Sequence, residues 1–253
     1  MPPKSPRKRL DVLLVERGLA ESRQKAQAMI LAGEIAIDAK RAEKAGKPVA
    51  ENAHIEVHSR LQKYAGRGGF KLEGALEDFR VNPQGKICLD VGSSTGGFTD
   101  CLLQQGAARV YAVDVNTDQL AWKLREESRV IALRKNAREL APEDLPEHPD
   151  LAVIDVSFIS VTKILPRAVA CCKPGGELLI LIKPQFELER ADVGKGGIVR
   201  DAKLHEKAIA SVRRTAEALG LTGLQVSPSR LPGAEGNQEY FLHAVKLPTV
   251  ESL

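Results

Sequence analysis

Apolar residues along this chain follow two patterns. Short, mainly apolar runs occur at 87–89, 110–113, 129–133, 151–156, 178–182, 224–226 and 240–245, most of them bounded by glycine, proline or charge. Runs of that length read as strands buried on both faces. Between them the spacing becomes helical. Phe70, Leu72, Ala75, Leu76 and Phe79 share one face, Phe98 to Leu103 is closed by Gly106, and further helices cover Ile164 to Cys172 and Lys203 to Leu219. Strands alternating with helices predict a parallel α/β sheet.

The first sixty residues have a finer grain. Leu10, Leu13 and Leu14 outline a helix stopped at Arg17-Gly18. Ser22 is placed to cap a second helix, Arg23 to Leu31, with Ala26, Met29 and Ile30 inside and Gly33 at its end. Ile35 to Ile37 alternate toward a turn at 38–41, and Ile55 and Val57 mark another strand. This α+β unit of about 50 residues is near the lower limit for a self-supporting core. The expected layout is a disordered basic tail (1–8), a small domain (9–58), a linker rich in glycine and basic residues (59–69) and a large domain (70–246).

Charge separates the two domains further. Residues 1–69 hold 14 Lys and Arg against 8 Asp and Glu, a net of +6, while the remainder carries −2. A small basic domain ahead of a near-neutral one predicts an anionic macromolecule held by the first. No apolar run approaches the ~18 residues of a membrane span. Residues 1–9 lack the apolar core of a signal peptide, and the four cysteines sit in apolar runs without metal spacing. A cytoplasmic protein with free thiols is expected.

The chemistry centres on Asp90-Val91-Gly92-Ser93-Ser94-Thr95-Gly96-Gly97-Phe98, a glycine turn between strand and helix. Its spacing is not the dinucleotide fingerprint, and no G-K-[ST] marks a phosphate cradle. An acid at the strand end followed by small residues suits a cationic, phosphate-free ligand such as S-adenosylmethionine (SAM). Asp90 would face its ammonium, while Gly92, Ser93, Gly96, Gly97 and Phe98 form the turn around it. Asp114 ends the next strand, where a ribose-binding carboxylate belongs. Asn136 follows the third strand and is either an adenine contact or a turn residue.

Two family resemblances follow. Arg9-Leu10-Asp11-Val12-Leu13-Leu14, Gly18-Leu19, Ser22-Arg23-Gln24-Lys25-Ala26 and Gly33-Glu34-Ile35-Ala36-Ile37 resemble the S4 RNA-binding domain. That implies RNA phosphate contacts from Arg9, Arg23, Lys25, Lys40 and Arg41; Arg67, in the linker, is a further candidate. Lys71, Asp155, Lys183 and Glu239 resemble the K-D-K-E tetrad of FtsJ-type ribose 2′-O-methyltransferases, within the phrases D-V-S-F-I-S and K-P-Q-F-E. Together the modules resemble the TlyA family across nearly the whole chain. The fold implied is a Rossmann-like, class I SAM-dependent methyltransferase behind a small RNA-binding domain.

The implied activity is 2′-O-methylation of cytidine in ribosomal RNA, on the 16S strand, the 23S strand or both, with ribosomal RNA or subunits as partner. Lys183 would orient and deprotonate the 2′-oxygen, Asp155 hold Lys183, Glu239 orient Lys71, and Lys71 steady the alkoxide. No metal is required. Two other functions compete: a non-catalytic RNA-binding assembly factor, and a membrane-active haemolysin, a label that relatives carry.

Overall fold

The computed structural model of the protein describes residues 6–20, 22–31, 35–37, 40–42, 44–57, 63–233 and 236–248. The chain divides into two compact units, Met1–Lys63 and Tyr64–Leu253.

The small unit runs β1 (Arg7–Arg9), α1 (Leu10–Glu16), α2 (Arg23–Leu31), β2 (Ile35–Ile37), β3 (Lys40–Arg41), β4 (Pro48–Ala50) and β5 (Ile55–Val57). Leu10, Leu14, Ala26, Ile30, Ile35 and Val49 form its core. Ser22 Oγ accepts from the Lys25 backbone N–H at 3.2 Å and caps α2. Gly33, Asp38 and Ala39 lie outside the described residues. Two expectations are corrected here. Arg7 and Lys8, read as tail, join Arg9 in β1, antiparallel to β4. Three consecutive basic residues carry no apolar signal; the strand is held by backbone pairing and by Glu16 and Glu51, 2.8 and 3.1 Å from Lys8 Nζ. Lys40 and Arg41 leave the turn and extend into β3, paired with β2. Residues 1–5 lie outside the described residues.

The large unit runs α3 (Gly68–Phe79), β6 (Ile87–Val91), α4 (Gly97–Gln104), β7 (Arg109–Asp114), α5 (Trp122–Arg125), β8 (Val130–Arg134), β9 (Leu151–Ile154), α6 (Leu165–Cys171), β10 (Glu177–Ile182), α7 (Pro184–Glu187), α8 (Ala202–Ala218), β11 (Leu221–Pro228) and β12 (Tyr240–Lys246). Its sheet has the order β11-β12-β10-β9-β6-β7-β8. β6 to β10 are mutually parallel, and β12 runs antiparallel between β10 and β11. Strand residues alternate between two cores. Leu89, Val91, Ile154 and Ile180 pack with α6 and α8, whereas Cys88, Ala112, Val153 and Leu181 pack with α3 and α4. Burial on both faces explains why these strands read as continuous apolar runs.

The end of the expected linker belongs to the large unit. Tyr64 is fully buried against Leu72, Leu76 and Phe98, and α3 starts at Gly68 rather than Phe70. The glycines serve close packing instead of slack. A Cβ on Gly97 would lie 3.0 Å from Gly69 N and 3.1 Å from Gly66 O. Residues 187–200 contain two 3-10 turns tied down from outside. Asn237 accepts from the Val199 N–H and donates to Gly197 O, both at 2.8 Å. Lys207 pairs with Asp192 at 2.6 Å.

Candidate active site

The sheet topology assembles the tetrad. Parallel strands present their carboxyl ends along one edge, where Asp155 follows β9 and Lys183 follows β10. Because β12 is antiparallel, its beginning reaches the same edge. Ile182 pairs with Tyr240, which places Glu239 beside the end of β10. Lys71 arrives from the first turn of α3, fixed by the glycine crossing with α4. Lys71 Nζ lies 2.5 Å from Glu239 Oε2, and Lys183 Nζ lies 2.5 Å from Asp155 Oδ1. Lys183 also donates to Ser157 Oγ at 2.8 Å. Both lysine side chains are only 10% exposed and Glu239 2%, so each ammonium is offset by a carboxylate held against it. A cavity of about 330 Å3 is lined by Lys71, Ser157, Phe158, Lys183, Phe186 and Glu239.

A larger crevice of about 510 Å3 adjoins it, with Gly92, Ser94, Asp114, Asn136 and Asp155 in its wall. Ser157 and Phe158 belong to both walls. Gly92 has φ +90°, and a Cβ there would overlap the Asp155 carbonyl, so β6 and β9 approach this closely only with glycine. Asp114 accepts from the backbone N–H groups of Ser94 at 2.9 Å and Asn116 at 3.0 Å, leaving lone pairs toward the crevice. Asn136 caps the turn after β8, its Oδ1 accepting from the Arg138 N–H at 3.1 Å, and also lines the crevice. Ser93, Gly97 and Phe98 line a smaller pocket of about 120 Å3 with Arg67 and Gly68. Phe98 itself packs inward, 6.2 Å from Phe241. Gly96, with φ +90°, turns the chain into α4.

Asp90 stands apart from these walls. β6 continues to Val91, so Asp90 is still inside the strand, on the α4 face, and fully buried. Its Oδ2 accepts from Thr99 Oγ1 at 2.6 Å. Burial pushes its carboxyl up to about 7. Asp90 Oδ1 and Ser93 Oγ have no hydrogen-bond partner among the described residues. An unpaired Ser93 hydroxyl behind a glycine turn, with the Asp114 carboxylate at the crevice rim, fits a ligand carrying a ribose; the buried Asp90 does not reach it. Among the described residues, no group of three or more His, Cys, Asp or Glu could hold a metal ion.

Three residues of the site were not singled out from the sequence. Ser157 is a second anchor for Lys183. Phe158 is 93% exposed, with φ +64°, an uncommon conformation for an aromatic residue. Its ring lies 5.4 Å from that of Phe186, and both border the tetrad cavity. The signal was present in D-V-S-F-I-S and K-P-Q-F-E, where an aromatic follows each tetrad member by three residues.

The small unit offers a separate basic surface. Asp11 is fully buried and accepts from Arg9 at 3.0 and 2.9 Å, from Arg23 at 3.1 Å and from Gln27 at 2.9 Å. Arg9 and Arg23 are thus fixed side by side while remaining half exposed. Lys25 is exposed, and Lys40 lines a groove of about 560 Å3 with Arg7 and Lys47. The Arg41 side chain lies outside the described residues. Arg67, in the large unit, is exposed beside α3.

The Arg9 guanidinium, with Gln27 and Arg23, holds the Asp11 carboxyl far below the usual carboxylate range despite its burial. A depressed folded-state pKa gives stability that is complete above the unfolded value, about 4, and lost as pH falls below it. The small unit should therefore loosen between about pH 4 and pH 2. Asp11→Asn should be weaker at neutral pH and flatter across that window. Amide NMR during acid titration checks this; matching profiles for wild type and variant would refute it.

Comparison with known proteins places both units in described families. Residues 64–246 match the FtsJ-like methyltransferase family and residues 8–55 the S4 domain. The chain is 45% identical over 238 residues to the 16S/23S rRNA (cytidine-2′-O)-methyltransferase TlyA of Mycobacterium tuberculosis, covering 93% of this chain and 89% of the relative. It is 42% identical to Hemolysin A of Brachyspira hyodysenteriae, covering 94% and 99%. A solved structure from Streptococcus thermophilus, designated a hemolysin, superposes with a TM-score of 0.76 at 39% identity, covering 96% of this chain and 89% of that one. With an S4 domain ahead of an FtsJ-like domain and relatives of this similarity over nearly its whole length, the chain belongs to the TlyA family.

Proposed function

We propose that the large unit transfers a methyl group from SAM to the ribose 2′-oxygen of cytidine in ribosomal RNA, which the small unit helps to hold. The observation that carries this reading is the pair of buried lysine–carboxylate contacts in a cavity that shares its wall with the crevice. SAM, when bound in the crevice, supplies an electrophilic methyl group. Asp114 would accept from its ribose hydroxyls, and the glycine turn would admit its backbone-facing side.

The chain's own residues handle the nucleophile. A ribose hydroxyl is weak near neutral pH and needs a base within hydrogen-bond reach. Lys183 first releases a proton to solvent and then takes the 2′-proton onto Nζ, and Asp155 and Ser157 fix the direction of that atom. Lys71, oriented by Glu239, faces the oxygen as negative charge develops. Phe158, presented outward beside Phe186, offers a stacking face for the base of a splayed nucleotide. Arg9, Arg23, Lys25 and Lys40 engage phosphates and fix the RNA without reading its sequence.

The hemolysin name of some relatives suggests a membrane role. No helix among the described residues is long and apolar enough to cross a membrane, and the buried lysines have no evident use there. A non-catalytic assembly factor would have no need for two ammonium groups kept in a cavity.

The deciding experiment is transfer of labelled methyl from SAM to ribosomal RNA, with 2′-O-methyl mapping. Label at a cytidine ribose is expected. Asp114→Ala should abolish most SAM affinity by calorimetry, at about 1.5–3 kcal/mol per lost charged hydrogen bond. Label on a base, or unchanged affinity, would reject the respective assignment.

A further inference from the structure

The loops that carry Asp155 and Lys183 are tied together by a residue outside the tetrad. Glu187 ends α7, the short helix that Lys183 begins. Its Oε2 accepts from the Ser160 hydroxyl at 2.5 Å, and its Oε1 from the Val161 backbone N–H at 2.8 Å. Ser160 in turn caps the next turn, accepting from the Thr162 N–H at 3.2 Å. The tie therefore joins the end of D-V-S-F-I-S to the end of K-P-Q-F-E.

Three features say that this tie is needed. Burial raises the Glu187 carboxyl above its ordinary range, and no cation pairs with it among the described residues. Such a carboxylate is costly where packing alone would serve. α7 spans only Pro184–Glu187 and cannot hold its own position by helical hydrogen bonding. Phe158 keeps φ +64°, which persists only where the surroundings over-determine it.

We propose that Glu187 is a positioning residue, a clasp that fixes the loop after β9 against the loop after β10. Through it the Lys183–Asp155–Ser157 geometry and the Phe158–Phe186 pair are set. The proposal rests on the reading of the tetrad as methyl-transfer machinery. Neither Glu187 nor Ser160 itself lines the crevice, but the loop they hold, Asp155 to Ile159, does, so the rate and the cofactor affinity are read separately.

The test compares wild type, Glu187→Ala, Ser160→Ala, their double variant and Glu187→Gln in single-turnover methylation of ribosomal RNA, with SAM affinity and melting recorded alongside. Glu187→Ala should slow transfer by roughly 10- to 100-fold, as small misplacements of reacting groups do. Transfer is read at saturating SAM, so that any change in affinity through the shared loop is kept apart from the rate. Glu187→Gln should recover most of the loss, since its amide can accept from Val161 and donate to Ser160 Oγ. Ser160→Ala keeps the carboxylate and its Val161 bond. It should show the same defect in smaller measure, and the two alanine variants should be non-additive, because each breaks the same tie. Wild-type rates in a folded Glu187→Ala, or alanine effects that multiply, would overturn the clasp alone. So would a loss confined to SAM affinity or to the folded fraction. A wild-type chain that transfers no methyl would overturn the functional reading and the clasp's role with it.

Discussion

Lys183→Met should leave SAM binding intact and slow methyl transfer by at least the ~10²-fold that follows loss of a positioned acid–base group. Methionine keeps the length and apolar stem of the side chain and removes only the amine. The crevice wall does not include Lys183 but does include its partner Asp155, so SAM affinity is measured alongside the rate. Asp155 would lose a partner 2.5 Å away, but its side chain is 20% exposed and water can take up part of that charge. Lys183→Arg should not restore the rate, because a guanidinium keeps its proton throughout the accessible pH range. Asp155→Asn should be impaired as well, through orientation of Nζ. Because Asp155 also lines the crevice, its SAM affinity has to be measured separately. The readout is single-turnover methylation of ribosomal RNA with saturating SAM. Near-normal rates in Lys183→Met would return the tetrad to a pair of structural ion pairs.

Deleting residues 1–63 should collapse RNA affinity while SAM binding survives. The large unit has its own two cores, and every residue of the crevice wall belongs to it. The basic groove and the Arg9–Asp11–Arg23 cluster leave with the small unit. If those groups meet phosphates, log affinity of the full chain should fall with log salt at about 0.7 per single-strand phosphate contacted. The shortened chain should be weaker and nearly flat. Titrations of ribosomal RNA at several salt concentrations measure both. A shortened chain that methylates at the full rate would remove the small unit from substrate recognition.

Much of the site was legible because its chemistry sits where strands stop. Asp114, Asp155 and Lys183 each close an apolar run, and a run's end is visible without coordinates. Asp90 shows the limit. One more apolar residue, Val91, prolongs the strand and turns the carboxylate onto the α4 face, a register effect that a period of two makes absolute. β1 was hidden because Arg7-Lys8-Arg9 has a strand's hydrogen bonds and none of its apolar pattern. Gly66 to Gly69 read as slack because glycine marks both loops and close helix crossings, and only the facing Gly97 tells them apart. The union of Lys71 with Glu239, 168 positions apart, depends on the direction of β12. No local pattern encodes that, and the family resemblance supplied it.

The antiparallel β12 also bears on timing. It lies between β10 and β11, so the sheet cannot close until this last of its strands has left the ribosome. Glu239 enters immediately before it, and until then Lys71 lacks its buried partner. On the proposed function, a nascent chain that has completed its small unit still cannot methylate the RNA of the ribosome that is making it. A product truncated ahead of residue 239 would lose β12, on which β11 depends for its pairing, and a tetrad member at once. On the proposed function, incomplete synthesis therefore leaves no half-working enzyme, only a basic domain able to compete for the RNA.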